Sequence, residues 1–228
     1  LGACSKAESD HLAQHNSRVV LGAPADGTAI VDRLRETYWH CRTYRDHGML
    51  TLTYGQPGKQ RSLQWSFSTA YRNPRLRFAF GQGPGIPVDP PAAPDWCAFA
   101  GSDAGLPLPD LPAQEGLAVR QFLSFDTLGT VPSLLGADEA GPGWWGLCER
   151  FQHVGYETIG ETPCLVVQTT ARPPINRITL WIDREHYLLV RRAVDFEMGE
   201  GGVRGLEVSD YQPTLDAPID DSEFKSGS

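Results

Sequence analysis

Apolar and polar positions alternate with period two through most of the chain, the pattern of half-buried β-strands. In residues 49–54, Leu50, Leu52 and Tyr54 alternate with Thr51 and Thr53. After a Gln56-Pro57-Gly58-Lys59 turn signal, Leu63, Trp65, Phe67, Thr69 and Tyr71 fall on one side of a second strand. Beyond Pro74, Leu76, Phe78 and Phe80 alternate again, and the proline requires an edge, a break or a bulge there. The last third repeats the pattern over 149–158, 164–170, 177–182, 187–197 and 203–211, with the clearest hairpin turning at Asp183-Arg184-Glu185-His186. Two stretches have helical spacing instead. Ile30, Leu34, Tyr38 and Cys41 share one helix face, capped by Asp26 or Thr28, and 116–135 carries Leu117, Phe122, Phe125, Leu128, Leu134 and Leu135. Asp46-His47-Gly48 reads as the turn between the first helix and the first strand. Residues 81–112 hold eight prolines and predict irregular cover with at most a short strand at 96–99, and 213–224 reads as an extended C-terminal strap.

Composition narrows the function classes. The chain has 228 residues, 40% hydrophobic and 21% charged, enough for one sizeable core. Twenty basic against 28 acidic residues give a net charge of -8, which argues against nonspecific nucleic-acid binding. No apolar run reaches the length of a spanning helix. Leu1-Gly2-Ala3-Cys4 resembles the end of a bacterial lipobox, in which the Cys is cleaved free and acylated. Residues 1–24 then read as a lipobox remnant and flexible tether, and 25–228 as one domain. With Cys4 as the lipidation site, Cys41, Cys97, Cys148 and Cys164 remain. Cys148 with Cys164 is the favoured pair, and four buried thiols are the other reading.

Four local patterns resemble the LolA/LolB-like superfamily of bacterial envelope proteins. They are Ile30-Val31-Asp32-Arg33-Leu34 running on to Cys41–Gly48; Phe67–Phe78 with its Asn73-Pro74 step; the hairpin Leu180–Arg192; and Asp210-Tyr211-Gln212-Pro213 followed by Pro218–Phe224. The resemblance implies an α+β fold, a curved antiparallel half-barrel with helices covering its concave face. It implies no catalytic residue and no cofactor. It places the chain in the bacterial periplasm; the lipobox resemblance adds a lipid anchor as the only membrane attachment, and Ser5 after the Cys resembles sorting signals that favour the outer membrane. Its partners would be a hydrophobic ligand or lipoprotein acyl chains, with an envelope protein partner as the alternative. Where the family's carrier has Arg directly before Pro, this chain has Asn73, and Arg72, one place earlier, is the candidate transfer-related residue. A one-residue offset in a strand reverses the face a side chain points to.

A lipid carrier must offer apolar area matching about 0.8 kcal/mol per buried methylene and still let its cargo go. Leu63, Trp65, Phe67, Leu76, Phe78, Phe80, Leu180 and Ile182 are the candidate lining, with Trp144 and Trp145 in the cover. The same residues also suit a solid core between sheet and helices. Metal chemistry is not expected, because His40, His47, His153 and His186 lack ligand spacing and His11 and His15 have no third ligand nearby. No P-loop, nucleophile-elbow or zincin motif is present, and Asp183 and Glu185 read as a solvated turn.

Overall fold

The computed structural model describes residues 26–55, 59–73, 75–82, 95–97, 130–135, 148, 150–171, 173, 175–198 and 203–224. The first helix, α1 (Gly27–Trp39), starts at Asp26, whose carboxylate accepts from Thr28 N at 3.0 Å. Its apolar stripe buries Ile30, Val31, Leu34 and Tyr38. Four strands follow: β1 (Thr43–Gly55), β2 (Arg61–Arg72), β3 (Arg75–Gln82) and β4 (Asp95–Cys97). After the one-turn helix α2 (Thr130–Leu134) come β5 (Gln152–Ile159), β6 (Thr162–Thr170), β7 (Ile175–Asp183), β8 (Leu189–Met198) and β9 (Val203–Tyr211). The described chain ends with β10 (Thr214–Leu215) and a 3-10 helix, Asp221–Phe224.

These strands form one open antiparallel sheet in the order β4-β3-β2-β1-β9-β8-β7-β6-β5, with β10 paired to the start of β1. Such a sheet fits a curved half-barrel. It consists of two meanders, β1–β4 and β5–β9, joined along β1 and β9. The period-two reading of β1 and β2 holds: Leu50, Leu52 and Tyr54 face the same side as Leu63, Trp65, Phe67 and Tyr71, and all seven are buried. β2 ends at Arg72 and β3 begins at Arg75, so the strands part where the sequence called for a break. The β7–β8 hairpin turns where expected. Asp183 Oδ1 accepts from Glu185 N and His186 N, and Tyr187 takes a left-handed φ of 55°.

Three expectations are corrected. Asp46-His47-Gly48 is not a turn, because β1 begins at Thr43 and runs straight through it. Gly48 is needed there for a different reason: the Phe67 ring of the neighbouring strand lies over its backbone, and a Cβ would meet Phe67 Cζ at 2.0 Å. Gly205 is covered by Phe196 in the same way, at 2.2 Å. Cys148 and Cys164 do not pair. Cys148 bridges to Ala171, whereas Cys164 lies near the other end of β6, beside Asp183, with its thiol unoxidised. Finally, the C-terminal strap is not extended throughout but closes in a 3-10 turn. The tether and Cys4, residues 116–129 of the second helical stretch, and Trp144 and Trp145 lie outside the described residues.

The aromatic-over-glycine pairs make a testable demand on stability. Gly48→Ala should cost about 1–3 kcal/mol, because the added Cβ meets the Phe67 ring and also the Asp210 carbonyl oxygen at 2.4 Å. Urea unfolding reads this directly, and an unchanged midpoint would show that ring and carbonyl both give way freely.

Candidate functional site

The inner face of the sheet is set by strand parity. Across one row of neighbours lie Trp65, Leu50, Ser209, Arg192, Leu180 and Val167. The adjacent row holds Leu63, Leu52, Glu207, Val194, Ile178 and Thr169. Every one of these side chains is buried. The apolar ones join a single cluster with Ile30, Val31, Leu34 and Tyr38 of α1 and with Val131, Leu134 and Leu135 at α2. The helix α1 runs from β5, where Asp26 bridges Gln152, to β1, where the Tyr38 and Tyr44 rings lie 5.2 Å apart.

Polar groups interrupt this face. Leu189 N donates to Tyr38 Oη at 3.1 Å, tying the end of α1 to the start of β8. Tyr44 Oη donates to Asp46 Oδ2 at 2.7 Å. Burial pushes the Asp46 carboxyl up to about 6, against the opposing pull of the Tyr44 hydrogen bond. Burial also raises the Tyr38, Tyr44 and Tyr211 phenols, which stay neutral donors and acceptors. In the middle of the sheet Arg192 Nη1 donates to Glu207 Oε1 at 2.8 Å, with both side chains fully buried, and Ser209 Oγ donates to the same carboxylate at 3.4 Å. Strand alternation did not disclose Asp46, Arg192 or Glu207.

Of the expected lining residues, Leu63, Trp65, Phe67, Leu180 and Ile182 come together on the inner face and are buried, and Leu76 packs partly buried against the same cluster. Phe78 and Phe80 pair in backbone register with Thr69 and Phe67, and their side chains lie outside the described residues. Arg72 is not among this group, since Tyr71 is its inward neighbour. Its guanidinium donates to Ile219 O at 3.1 Å and to Asp221, and lies 5.3 Å from the centre of the Phe224 ring. Arg45 with Glu223, Arg75 with Asp221 and Arg77 with the Glu223 carbonyl complete this clamp on the C-terminal strap.

No family model and no curated protein matches the chain. Similar solved structures do exist. LprF from Mycobacterium bovis is 13% identical, covering 87% of this chain and 97% of its own at a TM-score of 0.41. A LolA superfamily protein from Nitrosomonas europaea is 10% identical, covering 89% and 98% at 0.28. A chain of the Pseudomonas aeruginosa MucA/MucB complex is 19% identical, covering 89% of this chain and 62% of that one at 0.42. The inner face of the sheet is a buried apolar surface with a few embedded polar groups. Among the described residues no cluster of three His, Cys, Asp or Glu side chains is placed to hold a metal. The Cys41 and Cys164 thiols are pushed up to about 11 by burial, which leaves little thiolate for nucleophilic work. No described helix is long and apolar enough to cross a membrane.

Proposed function

We propose that the chain is a non-enzymatic, periplasm-facing envelope lipoprotein, anchored through Cys4, that holds a lipid, an acyl chain or another hydrophobic ligand between its inner sheet face and its helices. Such a protein would serve lipoprotein or lipid sorting. The observation that carries this reading is the breadth of the buried inner face, which spans paired strands from Trp65 on β2 to Val167 on β6 and is apolar on either side of Ser209, Glu207 and Arg192. Nine strands span roughly 40 Å across. The thirteen residues of α1 make a rod about 20 Å long and about 10 Å wide. One such helix is a partial cover, held at its far end by the Tyr38 contact with Leu189. Arg72 would take part in transfer only by releasing the strap it clamps.

The full chain purified without detergent tests this. Native mass spectrometry should show co-purified lipid that disappears on extraction, and the extracted protein should take up a fluorescent fatty acid. Trp65→Asp should weaken that uptake by at least roughly tenfold, the scale of losing one buried aromatic contact, with cooperative thermal unfolding retained; a variant that no longer unfolds cooperatively would mark Trp65 as solid core instead. A lipid-free mass together with no uptake would sink the reading. That result would favour a second one, an envelope sensor or interaction module with a vestigial cavity. The buried Arg192–Glu207 pair speaks for this alternative, since charges packed edge to edge suit a solid interior.

A further inference from the structure

The two halves of the C-terminal strap are held differently. Main-chain bonds fix its root to β1: Leu215 pairs with Tyr44, Asp216 N donates to Thr43 O at 2.9 Å, and Thr43 Oγ1 donates to Ala217 O at 2.7 Å. Ile219, at the end of the root, is buried. The 3-10 tip, Asp221–Phe224, buries no residue, and arginines hold it. Strand register gathers them on the outer face. Arg45 and Arg77 flank Ala70 in one row, and Arg72 pairs with Arg75 beside it, opposite in facing to Tyr44 and Tyr71. Arg72 and Arg75 both donate to one oxygen, Asp221 Oδ1, the second at 3.1 Å. Arg45 and Arg77 meet Glu223 at its carboxylate and its main-chain carbonyl. Four guanidinium groups thus face the carboxylates of Asp221 and Glu223, while the neighbouring Asp220 carboxylate turns back to accept from Ser222 N at 2.7 Å.

We infer that Arg45, Arg72, Arg75 and Arg77 form a binding site for a phosphate-bearing anion, in which Asp221 and Glu223 of the strap are the resident occupants. Two guanidinium groups converging on one oxygen is the geometry of anion recognition, and the planar fork of Arg suits phosphate as it suits carboxylate. A phosphate monoester brings three acceptor oxygens and about −2 charge to a single point, where the strap spreads its charge over two residues. The strap's hold is weak. The Asp221 side chain is 67% exposed and that of Arg75 57%, and ion pairs so exposed contribute little and are screened by salt. The Arg72 guanidinium keeps the Asp221 carboxyl below the usual carboxylate range, so near neutral pH the tip yields to competing anions rather than to protons. The cluster also stands against the net charge of -8, so it is not part of a generally basic surface. Because the root stays bonded, the tip competes at the effective concentration of a short tether, which lies in the millimolar range. A free anion must reach that range to displace it, whereas a membrane surface presents phosphate headgroups at high local density. None of this depends on a lipid being held under the helices.

Amide NMR of the full chain reads the tip directly. Inorganic phosphate, titrated at constant ionic strength against chloride, should move the Asp221–Phe224 amides toward random-coil shifts with a midpoint of about 1–30 mM. Asp221→Asn combined with Glu223→Gln removes the resident carboxylates and should bind phosphate at least about tenfold more tightly, read at the arginine Nε signals. Arg72→Gln combined with Arg75→Gln should abolish the response. Thermal melts check that both variants fold. Sedimentation of the Asp221→Asn, Glu223→Gln chain with vesicles of phosphatidylcholine and phosphatidylglycerol, but not with phosphatidylcholine alone, would assign the site to anionic headgroups. A response to free phosphate without vesicle binding would assign it to soluble phosphate compounds. If that variant binds neither, or takes phosphate no more tightly than wild type, the inference fails. An undiminished response in Arg72→Gln, Arg75→Gln overturns it equally.

Discussion

Arg192→Met will destabilise the fold by about 3–5 kcal/mol, whereas Arg192→Met combined with Glu207→Leu will leave stability unchanged or raise it. The asymmetry follows from the location of the pair. Both side chains are fully buried, with Leu50, Leu52, Leu180 and Val194 as their row neighbours on the inner face. Removing the guanidinium takes the opposite charge away from a buried carboxylate, to which Ser209 donates at 3.4 Å, in a medium that solvates it poorly. Removing both charges deletes the desolvation cost along with the attraction. Urea midpoints at constant slope measure both variants. A double variant as unstable as the single one would show that shape, not charge, is what the site requires.

Asp46→Asn will make the protein more stable at neutral pH and remove a pH dependence that the wild type shows. The Asp46 carboxyl titrates near 6 in the folded chain against 3.8 for an unperturbed carboxyl, because burial disfavours its ionised form. Between those values the folded state binds more protons than the unfolded one. Folding stability therefore falls as pH rises from about 4 to about 6 and is flat above that. The full difference amounts to about 3 kcal/mol from this group. An amide keeps an acceptor for the Tyr44 hydroxyl and carries no charge, so the variant should gain about 1–3 kcal/mol at neutral pH and little near pH 4. Unfolding curves for both proteins across that range provide the check. Parallel pH profiles would mean that Asp46 ionises in the fold as readily as in water.

The sheet was largely legible because period-two alternation survives wherever one face is apolar. Leu63, Trp65 and Phe67 announced their common side, and the register placed them beside Leu52, Leu50 and Gly48. The embedded polar groups were not legible, each for its own reason. Asp46 sits in Asp46-His47-Gly48, whose composition matches a turn. The glycine is there instead to let the Phe67 ring lie over the strand. Arg192 is displaced by a register shift: Ile182 pairs with Leu189 but Trp181 with Arg191, so one extra residue on β8 swaps the inward positions from odd to even. Counting by twos from Leu189 would send Arg192 outward. Glu207 is hidden by the inverted pattern of β9, where the apolar residues face out. The clamp of Arg45, Arg72, Arg75 and Arg77 on the strap depends on contacts between strands and terminus that no local spacing encodes.

The strand order has a kinetic consequence. Within each meander, strands adjacent in sequence are adjacent in space, so the hairpins can zip up early and close only short loops. The seam between β1 and β9 brings together segments from opposite ends of the chain. Its formation must wait for the largest loop to close, which makes it the natural late, rate-limiting event in folding. Until it forms, the nascent protein carries two bare strand edges side by side, and in that interval a neighbouring chain can pair in place of the correct strand.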